Sequence, residues 1–282
     1  MASLHADLTT RLALISDTPA LDASVLIAHI LHKPRTWVMA HPKLSLTSEQ
    51  QKQLDDSLAR FENGEPFPYI LGHWEFFGLD FEITRDVLIP RPETELLVEK
   101  AIAWLQESPG RRMVADIGTG SGAIAVSIAV HVSNSLILAT DISHAALDVA
   151  HRNATKLNVA DRIEFVHCDI LPQRSEQFQI ANQVDLICAN LPYIPTGTLQ
   201  SLPIYGREPT LALDGGTDGL HLFRRLMKIA PPWLTPNGLI LLEIEATQGA
   251  HALKLAHDTF SQATIHLHQD LTGRDRLLEI QT

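Results

Sequence analysis

From Met113 onward the chain repeats one rhythm, a short apolar run followed by a longer amphipathic one, and few folds accommodate it. The runs MVADIG, SLILATD, RIEFVHCD, VDLICAN, GLILLEI, ATIHLH and RLLEI read as strands. AIAVSIAVHV, HAALDVAHRNATKL, TDGLHLFRRLMKIA and GAHALKLAHDTF read as helices between them, and TELLVEKAIAWL reads as one before them. Near-continuous apolar strands alternating with helices predict a parallel sheet covered on both faces. Only HQDLTGRD separates the last two strand candidates, too little for a crossover helix, so these two are expected to pair antiparallel. The expected sheet has seven strands, six parallel-compatible and one reversed.

Upstream of this unit the pattern changes. Residues 1 to about 62 read as helices, with Pro19 at a first helical position behind the cap candidates Asp17 and Thr18. Thr47 with Gln50 has the spacing of a capping box. No catalytic pattern appears here. The segment reads as a small bundle or as a docking surface, and His29, His32 and His41 beside Lys33, Arg35 and Lys43 read as a solvated face. Residues 63–92 are rich in Gly, Pro and aromatics, and WEFFGLDFEI suggests a hairpin about Gly78. The expected organisation is a helical docking domain over 1–72, a hairpin linker over 73–92 and an α/β domain over 93–282.

Charge and cysteine content narrow the chemistry. A net charge of −11 over 282 residues argues against a partner held mainly through phosphates, and neither part of the chain is basic. Cys168 and Cys188, each at the end of an apolar run, are expected to be buried, reduced thiols. The first residues lack a basic segment and a long apolar core, and no apolar run approaches the ~20 residues that span a bilayer. The chain therefore reads as cytosolic, without a membrane role. His266 and His268 lack further ligand spacing, so no metal is expected.

The chemistry concentrates at the ends of the strand candidates. ADIGTGSGAIA puts Asp116 at the end of the first strand and Gly118, Thr119, Gly120, Ser121 and Gly122 in the turn into a helix. Such glycines let a ligand approach the backbone and expose N–H groups at a helix start. Gly118, Gly120 and Ala123 also satisfy a dinucleotide fingerprint, so this loop alone leaves NAD open. Asp141 ends the second strand and can accept from ribose hydroxyls. Two features favour S-adenosylmethionine: the compact loop suits a ligand without pyrophosphate, and Asp169 ends the third strand, where it can accept from an adenine amine while Ile170 flanks the ring.

Asn190 ends the fourth strand, in ANLPYIP. Its carbonyl oxygen can accept from an –NH2 group. The Leu191 carbonyl can accept a second N–H, because Pro192 presets the extended backbone before it. Tyr193 can pack over a flat group. Asn190, Leu191, Pro192 and Tyr193 thus form a slot that aims a planar amide nitrogen at a methyl donor. EPTLALDGGTDGL reads as part of the substrate mouth or as a connector, and Arg91 and Glu93 as substrate-binding residues at that mouth or as surface partners.

With these residues assembled, the chain resembles the protein-(glutamine-N5) methyltransferases of peptide chain release factors. The resemblance rests on PFPYILGHWEFFGLDF, VLIPRPETE, DIGTGSGAIA, ANLPYIP, GREPTLALDGGTDGL and GRDR and covers most of the chain. It implies a helical N-terminal domain, a hairpin linker and a Rossmann-like, seven-stranded S-adenosylmethionine-dependent methyltransferase domain, acting in the cytoplasm on the glutamine of a Gly-Gly-Gln motif. It also implies that Asn190, Leu191, Pro192 and Tyr193 hold that glutamine, and that the Gly118–Gly122 loop, Asp141, Ile170 and Asn190 hold the cofactor. Release factors are the implied partner, and proximity to the ribosome is left open. Leu191 stands where the family usually has proline, a form also found in RNA adenine-N6 dimethyltransferases. An RNA or DNA adenine-N6 methyltransferase is therefore the alternative reading.

Overall fold

A computed structural model describes residues 4–107, 110, 113–172 and 183–282; the first three residues of the expected helical domain lie outside these. The chain divides into two compact units, Met1–Gly72 and His73–Thr282.

The first unit is helical: α1 (Leu4–Leu12), α2 (Pro19–Leu31), α3 (Arg35–Ala40), α4 (Ser48–Glu62) and α5 (Phe67–Leu71). Its own core gathers Leu12, Leu26, Ile27, Val38, Leu54 and Leu58. Each large aliphatic side chain buried there contributes about 1.5–3 kcal/mol. The capping box forms as read: Gln50 N–H donates to Thr47 Oγ1 at 3.2 Å, and Thr47 N–H donates to Gln50 Oε1 at 3.0 Å. The cap of α2 differs from expectation. Thr18 holds the N-cap position, but its side chain accepts no bond from the helix. Its N–H is taken by Ser16 Oγ at 2.9 Å, and its hydroxyl points toward Asp22 instead. His32, Lys33, Arg35, His41 and Lys43 are exposed.

The second unit opens with the hairpin β1 (His73–Phe76) and β2 (Leu79–Glu82), turned by Phe77 and Gly78, both at positive φ. It lies against α8 (His144–Lys156): Lys156 pairs with Asp80, Arg152 pairs with Glu82, and the Asn153 amide bonds both backbone groups of Glu82. After α6 (Glu95–Glu107) comes the sheet: β3 (Met113–Ile117), β4 (Leu136–Asp141), β5 (Ile163–His167), β6 (Val184–Ala189), β7 (Leu234–Glu243), β8 (Thr264–Gln269) and β9 (Asp275–Gln281). Besides α8, the connecting helices are α7 (Ala123–His131), the short α9 (Thr196–Leu199), α10 (His221–Ile229) and α11 (Gly249–Thr259). The strand order is β5-β4-β3-β6-β7-β9-β8, with β9 antiparallel to both neighbours and the other pairings parallel. The reversed strand is thus the last in sequence and sits inside the sheet.

Ile187, Ile240, Leu278 and Ile280 belong to a core shared with Phe223, Leu226 and Ala252 on the helices. The two cysteines part company. Cys188 on β6 is buried, as expected, whereas Cys168 is only half-buried, because the chain has already left β5 and turned toward the carboxyl edge. Among the described residues, no helix is long and apolar enough to cross a membrane.

Candidate active site

Strand register lines up the carboxyl ends. Ile117 pairs with Thr140 and with Ala189, and Ala189 pairs with Leu242. The next residue of each strand or turn therefore stands in one row: Gly118, Asp141, Asn190 and Glu243. β3 has β4 on one side and β6 on the other, which makes this the point where strand order reverses and where open α/β sheets bind ligands. A cavity of about 610 Å³ opens there.

Of the residues read from sequence, Gly118, Gly120, Asp141, Asp169, Ile170, Asn190, Leu191 and Pro192 line that cavity. Gly118 and Gly120 both take positive φ, and a side chain on Gly120 would meet only open space. Asp141 accepts from Gly120 N–H and Ser143 N–H, both at 2.9 Å, so its carboxylate braces the loop it faces. Burial raises its pKa, and those N–H bonds oppose the rise. Ile170 holds φ +68°, a strained value for a β-branched residue, and its carbonyl accepts from Thr140 Oγ1 at 2.7 Å. Asp169 is paired with Arg225 at 2.6 Å, and both border the cavity.

Asp116, Thr119, Ser121 and Gly122 lie beneath the wall rather than on it. Asp116 is fully buried, accepting from Thr119 Oγ1 at 2.6 Å and Ala125 N–H at 3.1 Å, so it holds the loop from below. Among the described residues its Oδ1 has no hydrogen-bond partner. Burial pushes its carboxyl up to about 7; its two donors oppose this and the charge of Asp141 adds to it. The native state then keeps this proton up to near neutrality, while an unfolded aspartate releases it near ~4. Between those values the native state binds more protons, so this group's contribution makes stability fall as pH rises. Asp116→Asn removes that term. The melting temperature of the variant relative to wild type is expected to rise by a few degrees between about pH 5 and about pH 8, measured by thermal melts. A difference that does not move with pH would contradict the burial argument.

VLIPRPETE works as a clasp. Ile89 N–H and Arg91 Nη2 both donate to the buried Glu208, at 3.1 and 2.6 Å, which ties this segment to GREPT. Glu95 accepts from Phe77 N–H at 2.8 Å at the hairpin turn. Arg91 is therefore engaged with Glu208 and Glu93 is exposed; neither lines the cavity, whereas Asp86, Val87 and Leu88 do. EPTLALDGGTDGL forms the opposite wall through Pro209–Ala212, Asp214 and Gly216. It also grips the asparagine motif: Ile194 N–H donates to Leu213 O, and Gly215 N–H donates to Ile194 O. Gln248 Nε2 donates to Tyr193 O at 2.9 Å.

Two residues that the sequence reading passed over stand behind the motif. Asn190 Nδ2 donates to Thr94 Oγ1 at 3.0 Å, and Thr94 Oγ1 donates to Glu243 Oε2 at 2.6 Å. Tyr193 Oη donates to Glu243 Oε1 at 3.3 Å, which leaves its pKa raised by burial and by that carboxylate. The signal was present: a glutamate directly after the apolar run LILL is as unusual as Asn190 ending VDLICAN.

The family model of the PrmC N-terminal domain matches residues 4–72, and that of ribosomal protein L11 methyltransferase (PrmA) matches residues 97–194. The release factor glutamine methyltransferase of Moorella thermoacetica is 40% identical over 92% of this chain and 90% of its own. That of Coxiella burnetii is 38% identical over 96% and 95%. Among solved structures, the hMettl16 catalytic domain, in complex with MAT2A 3′UTR hairpin 6, has a TM-score of 0.53 at 16% identity over 84% of this chain and 83% of that one, a likeness of fold. With relatives this similar along nearly its whole length, the chain belongs to the release factor glutamine methyltransferase family.

Proposed function

We propose that this protein transfers a methyl group from S-adenosylmethionine to the side-chain amide nitrogen, N5, of the glutamine in the Gly-Gly-Gln motif of peptide chain release factors, in the cytoplasm. The observation that carries the reading is Asn190 on the wall of the cavity that also holds Gly118, Gly120 and Asp141. The cavity suits the cofactor: the open face of Gly120 leaves room on the loop, and Asp141 and Asp169, the latter paired with Arg225 of α10, follow on successive strands. Gly118, Gly120, Asp141, Asp169, Ile170 and Asn190 would hold it, over a floor set by Asp116, Thr119, Ser121 and Gly122. Bound S-adenosylmethionine supplies a methyl group on a positively charged sulfur that leaves as a neutral thioether.

The protein's own part is positioning. Asn190 Oδ1 and the Leu191 carbonyl take the two N–H bonds of the glutamine amide, with Pro192 and Tyr193 shaping the slot. Their pull strengthens as the nitrogen gains positive charge, so the transition state is held more tightly than the ground state. Orientation of this kind can supply up to about 7–11 kcal/mol in well-aligned cases. No general acid is required, and the methylated nitrogen, strongly acidic while it carries the positive charge, releases one of its N–H protons to water. Residues 1–72 serve to dock the release factor, and Arg91 shapes the mouth through Glu208. The adenine-N6 alternative is not favoured: the relatives are named for glutamine, and the chain is acidic.

The test is mass spectrometry of the Gly-Gly-Gln peptide after incubating purified protein, labelled S-adenosylmethionine and a recombinant release factor. One added methyl on the glutamine is expected, and no label on a release factor whose motif glutamine is replaced. Equal labelling of that variant, or transfer of the label to added RNA instead, would overturn the reading.

A further inference from the structure

Glu243 closes β7 level with Asn190, is only 5% exposed, and gives each carboxylate oxygen to one hydroxyl: Oε2 to Thr94, Oε1 to Tyr193. A threonine hydroxyl has one proton. Once Thr94 donates it to Glu243, Oγ1 can meet Asn190 only as an acceptor, and Asn190 Nδ2 lies 3.0 Å from it. Turning the Asn190 amide over would set Oδ1 against Oγ1, two acceptors with no proton between them, which buried polar groups avoid. The carboxylate therefore decides, through one hydroxyl, which end of Asn190 faces the cavity. An Asn190 held with Oδ1 inward suits an –NH2 group and repels a carboxylate.

We propose that Glu243 and Thr94 are positioning residues that lock the Asn190 amide with its oxygen toward the substrate, and that this lock makes the site select glutamine over glutamate. The proposal rests on the glutamine-methylation reading above. It also accounts for the anchoring of Tyr193, since the same carboxylate holds both side chains that flank Leu191 and Pro192.

The lock depends on an ionised Glu243. Burial opposes ionisation most strongly and pushes the carboxyl up to about 7; the Thr94 hydroxyl, the charge of Arg276 on β9 and the Tyr193 hydroxyl favour ionisation, and the charge of Glu93 opposes it. A protonated Glu243 has a proton of its own to donate, so Thr94 is freed to donate to Asn190 Oδ1 and the amide can turn. The rate is therefore expected to climb through a titration near neutrality as pH rises.

The experiment measures kcat and KM for release-factor methylation from about pH 5.5 to about pH 9, together with inhibition by Gly-Gly-Gln and Gly-Gly-Glu peptides. It compares wild type with Thr94→Val, Thr94→Ser and Glu243→Gln. Thr94→Val keeps the volume and loses the hydroxyl. It and Glu243→Gln are expected to lower kcat at least ~10-fold with a smaller change in KM, to flatten the limb near neutrality, and to narrow the preference for the glutamine peptide. Thr94→Ser should recover the limb and most of the lost rate. If Thr94→Val keeps the wild-type rate, limb and peptide preference, the lock is overturned; a packing role would also make Thr94→Ser the more damaging change. Should Glu243→Gln fail to fold, seen by circular dichroism, the near-isosteric Thr94→Val decides alone. A wild-type enzyme that methylates no glutamine at all overturns the functional reading and this proposal together, an outcome distinct from the first.

Discussion

Asn190→Ala is expected to lower methyl transfer to the release-factor glutamine by about 10²–10³-fold while leaving the protein folded. Removing one preorganised polar partner from a reacting group typically costs that much in kcat. Asn190 is half-buried and bonds through its side chain to Thr94, so the truncation leaves one hydroxyl without its donor and opens space on the cavity side, with little effect on the sheet core. The loss should fall on kcat more than on KM, because the oxygen of Asn190 matters most as charge develops on the nitrogen. Single-turnover labelling of a release factor, with circular dichroism melts of both proteins, checks both halves. An alanine variant with wild-type kcat would remove Asn190 from the chemistry.

Gly219→Ala should be the most damaging single methyl group in the second unit. Gly219 holds φ +75°, and a Cβ there would overlap the carbonyl of Tyr193 and the side-chain nitrogen of Gln248. Those two atoms are hydrogen-bonded to each other, so the methyl group breaks their bond and also displaces the tyrosine. Left-handed backbone for an alanine, overpacking against a carbonyl and the lost hydrogen bond together cost about 3–5 kcal/mol. That corresponds to a fall of roughly 10 °C in melting temperature. Gly206→Ala is the control: its φ is +74°, but a Cβ there meets nothing within 4 Å, so only the backbone term of about 1 kcal/mol remains. If both variants melt within a few degrees of each other, the loop yields to the methyl group and Tyr193 is not rigidly held.

The parallel centre of the sheet was legible because β3, β4, β6 and β7 are buried along most of their length and so read as continuous apolar runs. The antiparallel end was legible too, since the few residues between the last two strands cannot carry a crossover. The place of β9 between β7 and β8 was not, because a hairpin can dock by either strand and only packing chooses. In the site, residues that point into the cavity from strand ends, such as Asp141 and Asn190, stood out as polar groups after apolar runs. Asp116 carries the same signature yet lies beneath the glycine loop, because a run of residues does not say which way a side chain turns at its end. Thr94 and Glu243 escaped notice for a related reason: their roles exist only through each other, across 149 residues of chain. Cys168 follows an apolar run and still faces the cavity, having passed the end of β5.

That interior position of β9 also bears on how the protein is made. Synthesis delivers β8 before β9, yet among the described residues β8 joins the sheet through β9, and β9 is also the second neighbour of β7. Until β9 is available, β7 presents an unpaired edge, the kind of surface that invites pairing with another chain. Glu243 and Arg276 acquire their places in the same step, since Ile244 N–H bonds Arg276 O. Docking of β9 thus both shields the sheet and completes the polar row behind Asn190, so a chain that has not yet placed it has neither.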